Sequence, residues 1–413
     1  MEINSLKPTR PLVIILLITA AHYFHHQLTA LVVPLLPFMR DGFSLTYTQA
    51  GGLVSAFALS YGIGQLPAGW LADRIGPRYL LLAGITGVAV AGIMVGLSRS
   101  YPALILFLVV MGIMGGGYHP SATPIISMAV PAAQRGRAVG VHLMGGSASH
   151  LVAPLLGVAI AGVLGWRGAF LLVAGPILVL GLVVFFVFGR LVPSHRVGAG
   201  SRFPAPEETA RGRAFSGRIA LVVAMTSVIG AFIASVLAFV PLFLVDVLLL
   251  SEAHAAFGLA LFFSAGLWAA PLGGLAADRF GPMVVFALVA LVAGPLILAL
   301  AVSANPMTAM IVLLVLGAVM FVRMTVSESW LVDAVSPSRR STVLGVYFFA
   351  GMEGSGIITP ILGNLIDRFG FRVAFGLAGG ITLVALVVLA LAGAWFGRGA
   401  FLRSRRPGIL PNQ

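Results

Sequence analysis

Apolar residues in this chain come in long unbroken runs separated by short polar segments, with no apolar–polar alternation inside the runs. Unbroken runs read as helices crossing a bilayer, at about 20 residues per crossing. The strands of a membrane barrel would alternate instead. The runs predict twelve spans, over residues 11–38, 46–72, 79–98, 102–130, 136–164, 168–190, 218–248, 253–277, 282–303, 306–335, 340–366 and 371–397. The expected fold class is all-α and integral to the membrane. The first run admits a second reading, because "LKPTRPLVIILLITAA" puts Lys7 and Arg10 before an apolar core and small residues after it, as a secretion signal does. Its continuation past Ala21 to Phe38 favours a permanent span.

The polar segments repeat. "GWLADRIGPR" begins at Gly69 and "GLAADRFGPM" at Gly274, a shift of 205 residues. The same shift carries Gly112 to Gly317, Gly140 to Gly345, "GWRGAF" at Gly165 to "GFRVAF" at Gly370, and Asp41 to Asp246. Six spans therefore recur as six spans. This predicts an N-terminal half over 1–190, a Pro-, Gly-, Ser- and Arg-rich linker over 191–217, a C-terminal half over 218–397 and a tail over 398–413. Such a parallel repeat is the plan of transporters that rock two halves about a midplane site. In the repeated loop, Gly69 would let helix ends approach, Asp73 would accept from the amides opening the next helix, and Gly76 would turn the chain. Arg74 and Arg78 add charge. With Asp278 and Arg279 of the second copy, these residues are candidates for a conformational latch. An ordinary tight turn would explain one copy but explains two equivalent copies poorly.

Composition agrees with the hydropathy pattern: 59% hydrophobic residues, 9% charged and a mean hydropathy of +1.06, far from soluble domains. Cysteine is absent, which excludes disulfides, iron–sulfur clusters and thiolate metal sites. A net charge of +13 would suggest nucleic acid in a soluble chain, but here its distribution is topological. Of 25 Lys and Arg, Arg40, Arg99, Arg167, Arg368 and Arg372 fall outside, Arg323 lies within a span, and the other 19 fall in segments that share a side with the termini. The positive-inside bias then puts both termini in the cytoplasm of a multi-pass protein of the inner membrane. No glycine-rich nucleotide loop ending in Lys-Ser/Thr is present, which argues against direct use of ATP.

"GWLADRIGPR" resembles the signature loop between helices 2 and 3 of the major facilitator superfamily, with Pro77 where a basic residue is usual and Met283 ending the second copy. "HYFHHQLTALVVPLLPFMRDGFSLTYTQAGGLVSAF", "GGGYHPSATPIISMA" and "GVHLMGGSASHLVAPLLG" are similar to helices 1, 4 and 5 of fosmidomycin-resistance-type efflux proteins. Ser149 to Gly157, "SHLVAPLLG", resembles a motif associated with antiporters, with Ala153 in place of the usual glycine before Pro154. The resemblance implies twelve helices in two six-helix halves, alternating access, a central cavity lined by helices 1, 4, 7 and 10, and a monomer.

The remaining polar residues inside spans are the candidate chemistry. At about 100° per residue, His25 lies about 60° to one side of His22 and His26 about 40° to the other, so the three share a face with Thr29, and Gln27 follows them. His119, His150, Arg323 and Glu353 lie near mid-span, and Glu328 nearer the cytoplasmic end. Polar groups at such depth are costly and face the interior of a bundle. Arg323 and Glu353 fall at matching depths, each roughly 18 to 20 Å from a cytoplasmic end at about 1.5 Å per residue. They form either a buried pair holding two helices together or a site where an ever-charged guanidinium meets an anion and a carboxylate carries protons. Arg323 and Glu328, five apart, are poorly placed for a direct pair. The histidines admit rivals. "HYFHH" fits one box of a membrane di-iron oxygenase, which needs several, and His142 is otherwise isolated in the sequence. His22 and His26 with His119 would suit a transition metal. Some of the histidines would only bond neighbouring helices. The expected function is secondary transport without enzymatic activity or cofactor: proton-coupled efflux of a small anionic or zwitterionic compound. Uptake or export of an organic acid, metal ion or metal chelate is the alternative, and a membrane metalloenzyme a remote one. The expected partners are substrate, protons and membrane lipid, and no nucleic acid.

Overall fold

The computed structural model describes residues 9–131, 134–191, 217–335 and 340–404. Its helices are α1 (Thr9–Thr29), α2 (Leu36–Phe43), α3 (Tyr47–Ile75), α4 (Pro77–Leu97), α5 (Tyr101–Gly115), α6 (Tyr118–Ala129), α7 (Arg135–Leu191), α8 (Gly217–Asp246), α9 (Glu252–Phe280), α10 (Pro282–Ala301), α11 (Pro306–Ala334) and α12 (Arg340–Ser404). No strand occurs among the described residues. α1 with α2 makes one crossing and α5 with α6 another, while α7 and α12 each hold two crossings, bent at Gly165 and Gly370. With the other six helices this gives twelve crossings, six in each half. Most of the 191–217 linker and the last residues of the tail lie outside the described residues.

Two crossings expected to be continuous are broken. The run over 11–38 ends its first helix at Thr29 and begins α2 at Leu36. Pro34 has no N–H to return to the carbonyl of Ala30, and the turns between are held by shorter-range bonds such as Leu31 N–H to Leu28 carbonyl at 3.2 Å. The run over 102–130 breaks at Gly116 and Gly117, just before Tyr118 and His119. Such breaks survive in a membrane only where protein surrounds them, and here they flank the buried histidines.

The backbone carries the repeat more fully than the sequence does. Among the described residues, positive φ occurs at Ser44 and Leu249, Gly76 and Gly281, and Gly165 and Gly370. Each pair is separated by 205. The helix caps follow the same shift: Thr46 and Ser251 cap α3 and α9, Ser100 and Asn305 cap α5 and α11, and Gly76 and Gly281 sit between the helices of the repeated loop. At Gly76 and Gly281, φ values of 97° and 90° exclude ordinary L-residues without strain. Within the halves α1 packs on α7, α3 on α5, α8 on α12 and α9 on α11; between them α3 meets α12 and α7 meets α9.

Leu249 is the one large residue among those described in a left-handed conformation, with φ 53° and 85% of its surface exposed. An L-residue there costs about 1–2 kcal/mol, and the exposed side chain contributes little packing in return. Leu249→Gly is expected to raise the thermal unfolding midpoint of the purified protein, by an amount equivalent to about 1 kcal/mol after the entropy cost of glycine; a lowered midpoint would show that the leucine makes a contact outweighing its strain.

Candidate functional site

Six imidazoles converge in the N-terminal half. His22, His25 and His26 stand on the last turns of α1, His119 on the first turn of α6, and His142 and His150 on α7. Ring centroids of His22 lie 4.2 Å from His142, 4.8 Å from His26 and 5.3 Å from His119, and those of His26 lie 4.7 Å from His150 and 5.5 Å from His119. His25 stacks on Tyr118 at 4.6 Å. The ring of His150 stacks on Phe263 of α9, which brings the cluster to the boundary with the other half. His22, His25 and His142 are buried, and His26, His119 and His150 half-buried.

His22 is held from two sides. Its Nδ1 bonds the backbone carbonyl of His142 at 2.8 Å; a carbonyl only accepts, so Nδ1 carries the hydrogen and Nε2 presents a lone pair. Among the described residues that Nε2 has no partner, and neither ring nitrogen of His25 has one. The ring lies against Gly146 of α7, where a Cβ would come within 2.5 Å of Cε1. Gly146 is thus the space the imidazole occupies. One nitrogen each from His22, His26 and His119 lies within 4.8 Å of the others, a set able to hold a metal ion. Gln27 is also buried with both amide atoms unpartnered, but no hydrogen bond joins it to the imidazoles.

In the C-terminal half the polar centre is Arg323 on α11, 4% exposed. It donates to the carbonyl of Thr226 at 3.1 Å and touches the sulfur of Met320 at 3.4 Å, while its Nε has no partner. Tyr347 interacts with the guanidinium and with Glu328, and its hydroxyl lies 2.9 Å from that of Ser327. Among the described residues no carboxylate pairs with Arg323. The side chain of Glu353 lies outside those described, so the expected Arg323–Glu353 meeting does too. Shifting by 205 relates the two centres: Tyr118 corresponds to Arg323, His142 to Tyr347, and His25 to Gly230. A Cβ at Gly230 would meet the Arg323 guanidinium at 3.5 Å. The guanidinium therefore takes up space beside the position that corresponds to His25.

The halves are fastened at the face opposite the termini. Arg40 of α2 forms a two-pronged ion pair with Asp246 at the end of α8, and the Tyr47 hydroxyl donates to the same carboxylate at 2.8 Å. Asp367 of α12 accepts from the backbone amides of Tyr47 and Thr48, each at 2.8 Å, and so caps α3 from the other half. Deeper in, Ser55 donates to the carbonyl of Gly356. Asp246, equivalent to Asp41 by the 205-residue shift, is thus tied to the other half, a partnership not legible in sequence.

The repeated loops lie at the face bearing the termini. Arg78 donates to the carbonyl of Phe185 at 3.1 Å and covers its ring, tying α4 to the end of α7. Arg74 lies over Trp70 and Arg279 over Phe280; Asp278 is exposed, and the Asp73 side chain is outside the described set. A Cβ at Gly69 or Gly274 would meet nothing within 4 Å, so close approach is not what these glycines provide.

A histidine cluster beside two broken helices in one half and a buried arginine on the unbroken α11 in the other, inside a twofold-repeated bundle, suit a secondary transporter. The profile of the Major Facilitator Superfamily matches residues 15–352 and 250–409, and the chain belongs to that family. It is 24% identical over 382 residues, 92% of its own length and 91% of the other's, to an uncharacterized MFS-type transporter, YfnC, of Bacillus subtilis. It is 31% identical over 159 residues to the probable sulfoacetate transporter SauU of Cupriavidus necator, a match covering 38% of this chain and only 37% of that relative. Among solved structures, a bacterial homologue of the human lysosomal transporter Spinster superposes with a TM-score of 0.77 at 19% identity, covering 93% of this chain and 96% of that one.

Two outcomes are expected. Gly146→Val should displace His22 and lower the unfolding midpoint, whereas Gly140→Val, where a Cβ meets nothing within 4 Å, should not; equal effects would remove Gly146 as the determinant of the His22 position. With no native cysteine to compete, Thr359→Cys, buried beside Ser235 and Gly51, serves as a reporter of the fastened face. Adding Asp246→Asn should speed its labelling by a water-soluble thiol reagent severalfold, and an unchanged rate would show that the ion pair does not hold the face shut.

Proposed function

We propose that this chain is a proton-coupled exporter of small polar anions or zwitterions of the carboxylate, sulfonate or phosphonate type. The observation that carries the reading is Arg323. A guanidinium that cannot shed its proton is buried against a carbonyl, a thioether and a phenol. A buried guanidinium costs least with an anion beside it, and an anionic cargo supplies one in one stage of a cycle. Glu353 and Glu328, by exchanging proton for charge, give a means of expelling the anion when a proton leaves. The naming of SauU for sulfoacetate, a small organic anion, supports the substrate class. Export is supported by the antiporter-like stretch Ser149 to Gly157 and by the resemblance of helices 1, 4 and 5 to efflux proteins.

The Lys and Arg distribution supports cytoplasmic termini, which makes the Arg40–Asp246 face the outer one. The 205-residue repeat supports halves of 1–190 and 218–397 as the moving bodies, with the repeated loops near Asp73 and Asp278 parting and meeting at the inner face. One chain supplies both polar centres, so a monomer suffices.

Proteoliposomes carrying an imposed pH gradient test this. A panel of two- to six-carbon carboxylates, sulfonates and phosphonates should contain at least one that moves against the proton flux. Arg323→Met should cut that transport roughly tenfold to a hundredfold, the value of about 1.5–3 kcal/mol for a hydrogen bond to a charged group. Glu353→Gln should leave binding but abolish the response to pH. If no anion moves, or Arg323→Met transports normally, the assignment fails.

A further inference from the structure

Six of the chain's eight histidines meet in the N-terminal half, and binding of an anion by Arg323 engages none of them. We propose that His22, His26 and His119 form a binding site for a transition metal ion of the cobalt-to-zinc series, and that the open coordination positions of this ion take an anionic group of the cargo.

The geometry is close to what such an ion needs. Three nitrogens at about 2.1 Å from a tetrahedral ion lie about 3.4 Å apart. Those of the three histidines lie within 4.8 Å of one another, so side-chain shifts under about 1 Å close the set. His22 is prepared for the role: its Nδ1–H is committed to the His142 carbonyl, which turns Nε2 into a fixed lone-pair donor. That is the arrangement in which metal-binding imidazoles are oriented by a backbone acceptor on their other nitrogen. The same Nε2 is buried with no partner among the described residues. His26 and His119 are half-buried, so the set is not wholly sealed by protein. His150, 4.7 Å from His26 between ring centroids, is a further imidazole beside the set, at the boundary of the halves.

The donor chemistry selects the metal class and the companion. Imidazoles suit cobalt, nickel, copper and zinc, whereas calcium and magnesium require oxygen donors, which the three-residue set lacks. Three neutral imidazoles leave both positive charges of the ion uncancelled in a low-dielectric interior, and three protein ligands leave at least one coordination position free. A carboxylate, sulfonate or phosphonate from the cargo answers both needs. This second half of the proposal rests on the anion-transport reading; the metal site itself does not.

The test uses the full-length protein without a histidine tag, stripped by a chelator and held in detergent or nanodiscs. Cobalt(II) is added and followed by its visible absorption, and zinc binding is measured by equilibrium dialysis with elemental analysis. One ion per chain is expected at micromolar free metal. His26→Gln and His119→Gln should each weaken binding by more than about tenfold, since even partners behind the ligands are worth about 10- to 100-fold. His254→Gln, exposed at the start of α9, should bind as the wild type does. Circular dichroism of the metal-free variants identifies any that misfold, and the cobalt spectrum of the wild type reports nitrogen ligation without any variant. Wild-type protein that binds no stoichiometric ion, or a folded His26→Gln/His119→Gln double variant that still binds, overturns the site. Arg323→Met should keep the metal. Metal binding in a protein that moves no anion would leave the site standing and the transport reading fallen. Anion affinity indifferent to metal would remove the cargo half of the proposal.

Discussion

A polar group inside a bilayer has no water to turn to, and this constraint organises the molecule. It forces the backbone into helices that satisfy their own hydrogen bonds, and it confines every break to places enclosed by protein. The two breaks, after Thr29 and before Tyr118, accordingly fall beside the histidine cluster rather than against lipid. The same constraint turns the imidazoles and the Arg323 guanidinium inward, where their unmet bonding capacity accumulates in one interior. What is costly for the fold is thereby concentrated where a guest is able to relieve it.

Duplication then explains the placement of the chemistry. His25 against Tyr118 in one half and Gly230 against Arg323 in the other are the same structural contact written with different side chains. His142 and Tyr347 are a second such pair, one beside His22 and the other beside Arg323. The repeat supplies two equivalent niches, one holding imidazoles and the other a permanent cation.

Much of this is legible in the sequence because it is local. Apolar run length reports the crossings, and the 205-residue shift visible in "GWLADRIGPR" and "GLAADRFGPM" recurs in caps and positive-φ positions, since turn and cap residues act through their nearest neighbours. The one-sided placement of His22, His25 and His26 follows from helical periodicity alone. His142 is not legible, because its approach to His22 depends on α1 packing on α7 across 120 residues of chain. The break after Thr29 was marked by Pro34 but masked by unbroken hydropathy. Arg40 and Asp246 look like ordinary loop charges until the two halves are brought together, and the open space around Gly69 shows that a motif identifies a loop without telling what each residue does there.

The fastening by Arg40, Asp246 and Asp367 has a consequence for the setting in which the protein works. Parting that face strands a guanidinium, two carboxylates and the first amides of α3, all of which water and dissolved ions must then serve. Small ions screen separated charges over about 10 Å at 0.1 M salt, so they favour the parted form more than the fastened one, in which the charges already neutralise each other. The medium bathing that face therefore enters the energetics as a reactant: its ionic strength helps set what it costs to part Arg40 from Asp246, with no ligand bound at the centre.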